Sequence, residues 1–427
     1  MKINKLHIIY NLLLIIISFF VISCNEEPTD IGISFLQDTV LVVTISNSND
    51  DAIFSTDSNY VIDRATNNTG AIMVGSANNI QSASFLRFDF PSGLGWITED
   101  DIISSELLLF PLHYAMGDTS GTNTLSFDIK KIVKKWTFED TKAQDVFNDN
   151  TLYDVNSLAT WTGNIVYKDE ASRDSLDTIS INIPKSLCVD WFSKRNTPPT
   201  DSTPDSEITW GLALLPNAQS TVINSFKAAG NTYSTGSVMK IVYKKKLDNG
   251  NDTNITLYVN AGIETKFVKI NETYNKDDLI IQSGVKVHTR LNFNIENIPN
   301  LASVNMAELT LTMDLNRSYW GNEGLDTVFR LGLFPDLDNE FKHIDPSLIC
   351  YGRRIEGTNQ YVFRSAEIML MYLLRSQAGS GNLVLMNGSN EQEANTLNRY
   401  AFFGSNASNE EARPKLKLVY SYLQGND

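Results

Sequence analysis

The sequence predicts an all-β protein built as two tandem antiparallel β-sandwich domains, each carrying one short helix. Three observations predict it. Short runs of the chain alternate apolar and polar residues with period two, as half-buried strands do. Gly, Asn, Asp and Ser fill the intervals between them, which is turn chemistry. The first half of the chain then recurs, block by block and in the same order, in the second.

The chain opens with Lys2 and Lys5, an apolar run from Leu12 to Ile22, and then Ser23-Cys24. A basic flank, a short apolar stretch and a small residue before a cysteine resemble a bacterial lipoprotein signal peptide, residues 1–23. The run is short for a bilayer-spanning helix, which needs about 20 residues. Cys24 is therefore expected to be lipidated with palmitate-type chains, each buried methylene adding about 0.8 kcal/mol of attachment. Residues 24–37 read as the lipidated cysteine and a polar tether. The acidic Asn25-Glu26-Glu27-Pro28 resembles export signals that send some lipoproteins to the outer face of the outer membrane. The expected location is the cell outer membrane, lipid-anchored and exposed at the cell surface.

The repeat justifies the strands. Ser84–Pro91 (SFLRFDFP) is matched by Thr289–Ile295 (TRLNFNI), and Ile102–Phe110 by Ala302–Leu311. Trp210–Leu215 is matched by Gly381–Met386, and Val238–Tyr243 by Pro414–Tyr420. Within the first block Leu86, Phe88 and Phe90 share one face while Arg87 and Asp89 share the other. Each half also holds one helical spacing. Pro184–Lys194 gathers Leu187, Cys188, Trp191 and Phe192, with proline suited to a first turn. Ala366–Arg375 gathers Ile368, Leu370, Met371 and Leu374, with Ser365 as the expected cap. Between the halves, Lys244–Asn254 is rich in turn formers and reads as a linker. The expected division is domain 1 over 38–246, a linker over 247–253 and domain 2 over 254–427.

At these residues the chain resembles the DNRLRE-type domains of secreted proteins, a jelly-roll family that includes carbohydrate-binding modules. The resemblance rests on Phe85-Leu-Arg-Phe88, the Ser104–Leu109 strand, Trp136, Trp161, a helix with Trp191, the Gly211–Leu214 strand and a closing strand that ends in Val-Tyr. Domain 1 matches nearly every part, whereas domain 2 lacks the Trp136/Trp161 pair. The resemblance implies jelly-roll-like sandwiches and, for some members, carbohydrate binding. It also implies that Trp136 and Trp161 belong to the framework.

The chemistry-bearing residues point away from catalysis. The formal net charge is −15, which disfavours nucleic acid and repels polyanions unless a local basic patch compensates. His113, His288 and His343 form no metal-ligand spacing, and no nucleophile elbow, phosphate loop or dinucleotide fingerprint occurs. Asp336-Leu-Asp338-Asn339-Glu340 offers oxygen ligands but lacks the Gly and terminal Glu of a calcium loop. Cys188 and Cys350 are expected to be buried free thiols. Lys130, Lys131, Lys134 and Lys135 form a basic island that a strand would split between its two faces. No cofactor and no metal are expected.

The expected function is non-catalytic binding of carbohydrate or polysaccharide at the cell surface. The alternative is a structural or adhesive envelope component that binds another protein. The candidate ligand-binding residues are Arg317, Tyr319, Trp320 and Asn322, where aromatic rings could stack on sugar faces beside hydroxyl-binding groups. Their competing role is a loop anchor whose rings pack on the core.

Overall fold

The computed structural model describes residues 40–46, 54–61, 66–67, 71–118, 123–165, 177–194, 207–229, 236–247, 250–271, 278–285, 287–295, 297–334, 346–375 and 380–423. The signal segment, Cys24, the tether and the Asp336–Glu340 turn lie outside the described residues.

The first strands are β1 (Val40–Ser46), β2 (Phe54–Val61), β3 (Thr66–Asn67), β4 (Ala71–Ala77), β5 (Ile80–Phe88), β6 (Ile102–Leu109) and β7 (Pro111–Gly117). There follow β8 (Leu125–Lys131), β9 (Ala159–Gly163), β10 (Ile179–Asn182), β11 (Leu212–Pro216), β12 (Val222–Lys227), β13 (Val238–Lys246) and β14 (Asp252–Ile270). The remainder are β15 (Asp278–Gln282), β16 (Val287–Asn294), β17 (Ser303–Thr312), β18 (Val328–Phe334) and β19 (Ile349–Arg354). Then come β20 (Gln360–Phe363), β21 (Ser380–Asn387), β22 (Arg399–Phe403) and β23 (Lys415–Leu423). The helices are α1 (Ala143–Asn148), α2 (Lys185–Phe192), α3 (Glu367–Arg375) and α4 (Asn390–Asn395).

The protein is all-β, with two jelly-roll-like antiparallel sandwiches. The first sandwich sets β10-β6-β13 beside the leading half of β14, and β5-β11-β8-β9 beside its trailing half. The second has the same two rows: β20-β17-β23-β1, and β2-β16-β21-β18-β19. The duplication extends to register. Glu106 stands opposite Lys240 in the first sandwich, and Glu308 opposite Lys417 in the second. Leu86 faces Leu212, and Leu291 faces Leu383. Each sandwich has its own apolar core, one around Phe88, Leu107 and Trp191 and the other around Leu309, Phe329 and Tyr361.

The division of the chain differs from the expected one in two respects. The expected linker falls in the β13–β14 hairpin, where Lys246 pairs with Asp252 and the Leu247 N–H donates to the Asn251 carbonyl at 2.8 Å. Asn, Asp and Gly serve a tight turn as well as a linker, and Gly250 takes φ +81 there. The second difference is that β1 and β2 do not belong to the first sandwich. β1 runs along β23, and β2 along β16. The first sandwich therefore spans 66–271, with β3 laid along β14, and the second is assembled from 40–61 and 278–423.

β14 changes sheet at a register shift between Ala261 and Ile263. Gly262 sits at that shift, where an added Cβ would fall on the Asp89 carboxylate.

Among the described residues each sandwich carries two short helices rather than one. α2 buries Leu187, Cys188, Trp191 and Phe192, the expected face. α3 buries Met369, Leu370, Leu373 and Leu374, so Ile368 is exposed and Met371 only half-buried, unlike the expected stripe. Ser365 is not its cap. It stands before the helix with φ +71, a region that a residue bearing a Cβ rarely enters. The six-residue α1 and α4 show too few turns for a periodic signal. Cys188 and Cys350 are buried free thiols, one in each sandwich. Burial pushes their pKa values up to about 11 and about 12.

Candidate functional site

Two places gather polar side chains from separate elements. The first is the loop that holds the four expected ligand-binding residues. The structure uses it to join the two sandwiches. Asn322 donates its backbone N–H to the Ala115 carbonyl at 2.9 Å, and its side-chain oxygen accepts the Ala115 N–H at 2.9 Å. Its side-chain nitrogen donates to the His113 carbonyl at 2.7 Å. One asparagine thus satisfies the edge of β7 as a strand residue would. Tyr319 bridges to Arg399 through both backbone groups and packs with Tyr114, Met116 and Leu397. Trp320 packs against the core of the second sandwich, and the Arg317 Nε donates to Asp314 at 2.6 Å.

Around that loop runs a buried polar chain. Tyr114 donates to the Asn398 side-chain oxygen at 3.0 Å and accepts the Leu397 N–H at 2.7 Å. Asn398 also accepts the Gly321 N–H and donates to the Tyr400 hydroxyl, both at 2.9 Å. Burial raises the hydroxyl pKa of Tyr114 far above its ordinary value, so it stays protonated as a donor. Lys266 of β14 crosses the same boundary and donates its amine to the Ala394 carbonyl at the C-terminal end of α4. Burial lowers its pKa to about 7. Arg317, Tyr319, Trp320 and Asn322 are half-buried and engaged within the chain, so they do not form the open aromatic platform that stacking on a sugar requires.

Other expected positions disperse. Trp136 is buried, donates to the Trp210 carbonyl at 2.8 Å and meets Phe85 edge-on at 5.1 Å. Trp161 packs on Phe127 at 5.6 Å between ring centres. The lysine island separates among Asp190, Thr151 and the Val155 carbonyl. β8, which holds Lys130 and Lys131, lies between β11 and β9 rather than at an edge.

The second place is a surface cavity of about 540 Å³ in the second sandwich, where the β19–β20 hairpin meets the start of α3. Three arginines line it, Arg353, Arg354 and Arg364, and no acidic residue does among the described residues. Strand alternation explains the grouping. Tyr351 and Arg353 lie two apart on β19, Arg353 stands opposite Val362, and Arg364 follows two residues later. The hairpin brings together residues ten or more apart in sequence. Arg354 donates from Nε to the Thr358 carbonyl at 2.8 Å, which closes the hairpin tip and fixes its guanidinium. Arg364 reaches Glu308 at 3.2 Å with its side chain 81% exposed, a pair that water screens heavily. Tyr351 is 56% exposed and Ile368 is 54% exposed, so a ring and an aliphatic surface flank the charges. The Cys350 thiol also lines the cavity, but burial, reinforced by Glu367, keeps it protonated and unreactive.

Sequence reading missed this cavity. Its signal was the alternation Tyr351-Gly-Arg353, with a further arginine just beyond the next strand at Arg364.

No family model and no curated protein matches the chain. A search of solved structures aligns it with the Macrobrachium rosenbergii nodavirus at 9% identity and a TM-score of 0.11, over 95% of this chain and 94% of that one. A score that low describes no shared arrangement, and no argument rests on it.

Proposed function

We propose that the protein is a lipid-anchored cell-envelope protein that binds polysaccharide without turning it over. The observation that carries this reading is the cavity beneath the β19–β20 hairpin. Its volume lies within the range of about 300–1,000 Å³ usual for small-ligand sites. An exposed tyrosine ring offers a stacking face for the C–H side of a sugar. Arginine forks offer donors to its oxygens. The lipidated Cys24 would hold this site at the outer membrane, as the signal-like opening of the chain suggests.

The test is retention of the chain on a panel of soluble and insoluble polysaccharides, with Tyr351→Ala beside the wild type. Binding that weakens in the variant, with no release of reducing ends, supports the reading. No retention on any polysaccharide, together with co-purification of an envelope protein, overturns it in favour of an adhesive role. Anchoring has its own measurement. Cys24→Ala should shift the protein from the membrane to the soluble fraction.

A further inference from the structure

We infer that the cavity of the second sandwich takes an acidic sugar unit, one that bears a carboxylate or a sulfate, and that the first sandwich has no counterpart. This rests on the polysaccharide reading above and narrows it to a class.

The duplication provides an internal control. Leu107 and Leu309 occupy equivalent positions, opposite Ile181 and Phe363 respectively. The residue after each is Asn182 in the first sandwich and Arg364 in the second. Likewise Phe127 and Phe329 are equivalent and face Trp161 and Gly352. Stepping along those strands sets Thr160, Thr162 and Gly163 against Tyr351, Arg353 and Arg354. The same fold is therefore built at these four positions with no charge and no ring. In the first sandwich Thr160 and Thr162 close locally, on Asp128 at 2.6 Å and Ser126 at 2.7 Å. In the second the arginines project into a cavity. The Arg353 side chain is exposed and has no ion-pair or hydrogen-bond partner among the described residues, its backbone alone being paired in the sheet. Arg354 closes the hairpin tip and Arg364 meets Glu308, whereas the Arg353 side chain and the Tyr351 ring stay exposed and are the groups most open to a ligand.

The charge balance makes the class specific. The chain carries a formal net charge of −15, which repels polyanions at long range. Three arginines, one of them paired with Glu308, concentrate positive charge there, and no acidic residue lines the cavity among the described residues. A guanidinium fork matches the two oxygens of a carboxylate or sulfate in one plane, and such charge-assisted pairs are roughly twice as strong as neutral hydrogen bonds. Neutral sugars gain little from that geometry. Gly352, between Tyr351 and Arg353, turns to the opposite, core side of β19, where a Cβ would strike the Phe363 ring.

The experiment compares binding of the full chain to polygalacturonate, dextran sulfate and unmodified dextran. Arg353→Gln, Arg364→Gln and the control Thr162→Arg accompany the wild type, and a thermal melt of each variant reports folding. Binding to one or both acidic polymers is expected. It should weaken with added salt and fall about tenfold in each arginine variant, with the melt unchanged. Preference for polygalacturonate assigns the carboxylate, and preference for dextran sulfate assigns the sulfate. Equal binding of dextran, insensitive to both arginine variants, overturns the acidic class while leaving polysaccharide binding intact. Tighter acidic-polymer binding in Thr162→Arg would show that any added arginine suffices, and would overturn a built site. No binding to any of the three, or to the wider panel, overturns the polysaccharide reading itself.

Discussion

The two sandwiches share an architecture but are closed at their edges by different means. In the first, one 19-residue strand, β14, flanks both sheets and crosses between them at Gly262, with only the two-residue β3 beyond its trailing half. In the second, two separate strands from the other end of the chain, β1 and β2, occupy those places. The sequences agree with the geometry. Val43-Thr44-Ile45 stands where Ile255-Thr256-Leu257 does, and Asp57-Ser58-Asn59-Tyr60-Val61 where Glu264-Thr265-Lys266-Phe267-Val268 does. One edge piece is contiguous with the sandwich it completes, and the other is separated from its partner by the whole first sandwich. Unpaired strand edges are a liability in any open sheet. The difference teaches that the repeat unit of the fold need not be cut where the repeat unit of the sequence begins.

The strongest way to break the comparison is to remove β1 and β2 by deleting residues 40–61. The second sandwich should lose its cooperative transition, because domain stabilities are only about 5–15 kcal/mol and two full edges are gone. The first should melt as before. Limited proteolysis that yields a resistant fragment near 66–271 is the readout, and loss of both units together would refute the assignment. Next in size is Phe329→Ala, which takes a ring from between Tyr361, Tyr400 and Phe402. It should cost about 3–5 kcal/mol, seen in denaturant midpoints and confined to the second sandwich.

Tyr114→Phe probes how far the sandwiches are coupled. It removes a donor to Asn398 and an acceptor for the Leu397 N–H, so about 1–3 kcal/mol should be lost. Calorimetry should then resolve two transitions where the wild type shows closer ones. Lys266 gives that boundary a pH dependence. Its pKa is about 7 folded and 10.5 as the ordinary value, so the unfolded chain binds the extra proton between those pH values. Stability should rise across that window, by at most about 1.4 kcal/mol per pH unit, and the penalty is fully present below it. Lys266→Met should flatten the rise in melts at several pH values. The smallest effect belongs to the equivalent carboxylates. Glu106→Gln loses a half-buried pair with Lys240 at 3.1 Å, and Glu308→Gln an exposed one with Arg364. Both should cost under about 1 kcal/mol, the second less than the first.

Much of the fold was legible because its cause is local. Period-two alternation sets which residues of 84–90 and 415–420 face inward, and that depends on neighbours alone. The α2 face was legible for the same reason, through its 3.6 period. The partners of β1 and β2 were not legible. Three-residue likenesses such as Val43-Thr44-Ile45 to Ile255-Thr256-Leu257 are too short to stand out. Which strand pairs with which is settled by edges that exist only once both sheets have formed. The Tyr319-Trp320 loop looked exposed for a related reason, since its cover comes from β4, β7 and β12 of the other sandwich. The arginine cavity needed the hairpin register before Arg353 and Arg364 could be seen to share a face.

The pairing of β1 with β23 has a mechanical side. Val40 lies opposite Leu423, so the described chain begins and ends at one edge of one sheet. A pull applied ahead of Val40 enters the second sandwich directly and bypasses the first, although the first comes earlier in sequence. The load falls on the ladder between Val40–Ser46 and Lys417–Leu423, which peels one residue pair at a time from the pulled end. The arginine cavity sits in the unit that bears that load. A tethered chain gripping a ligand there would carry tension through a single folded body, entering it at β1, with the first sandwich outside the line of force.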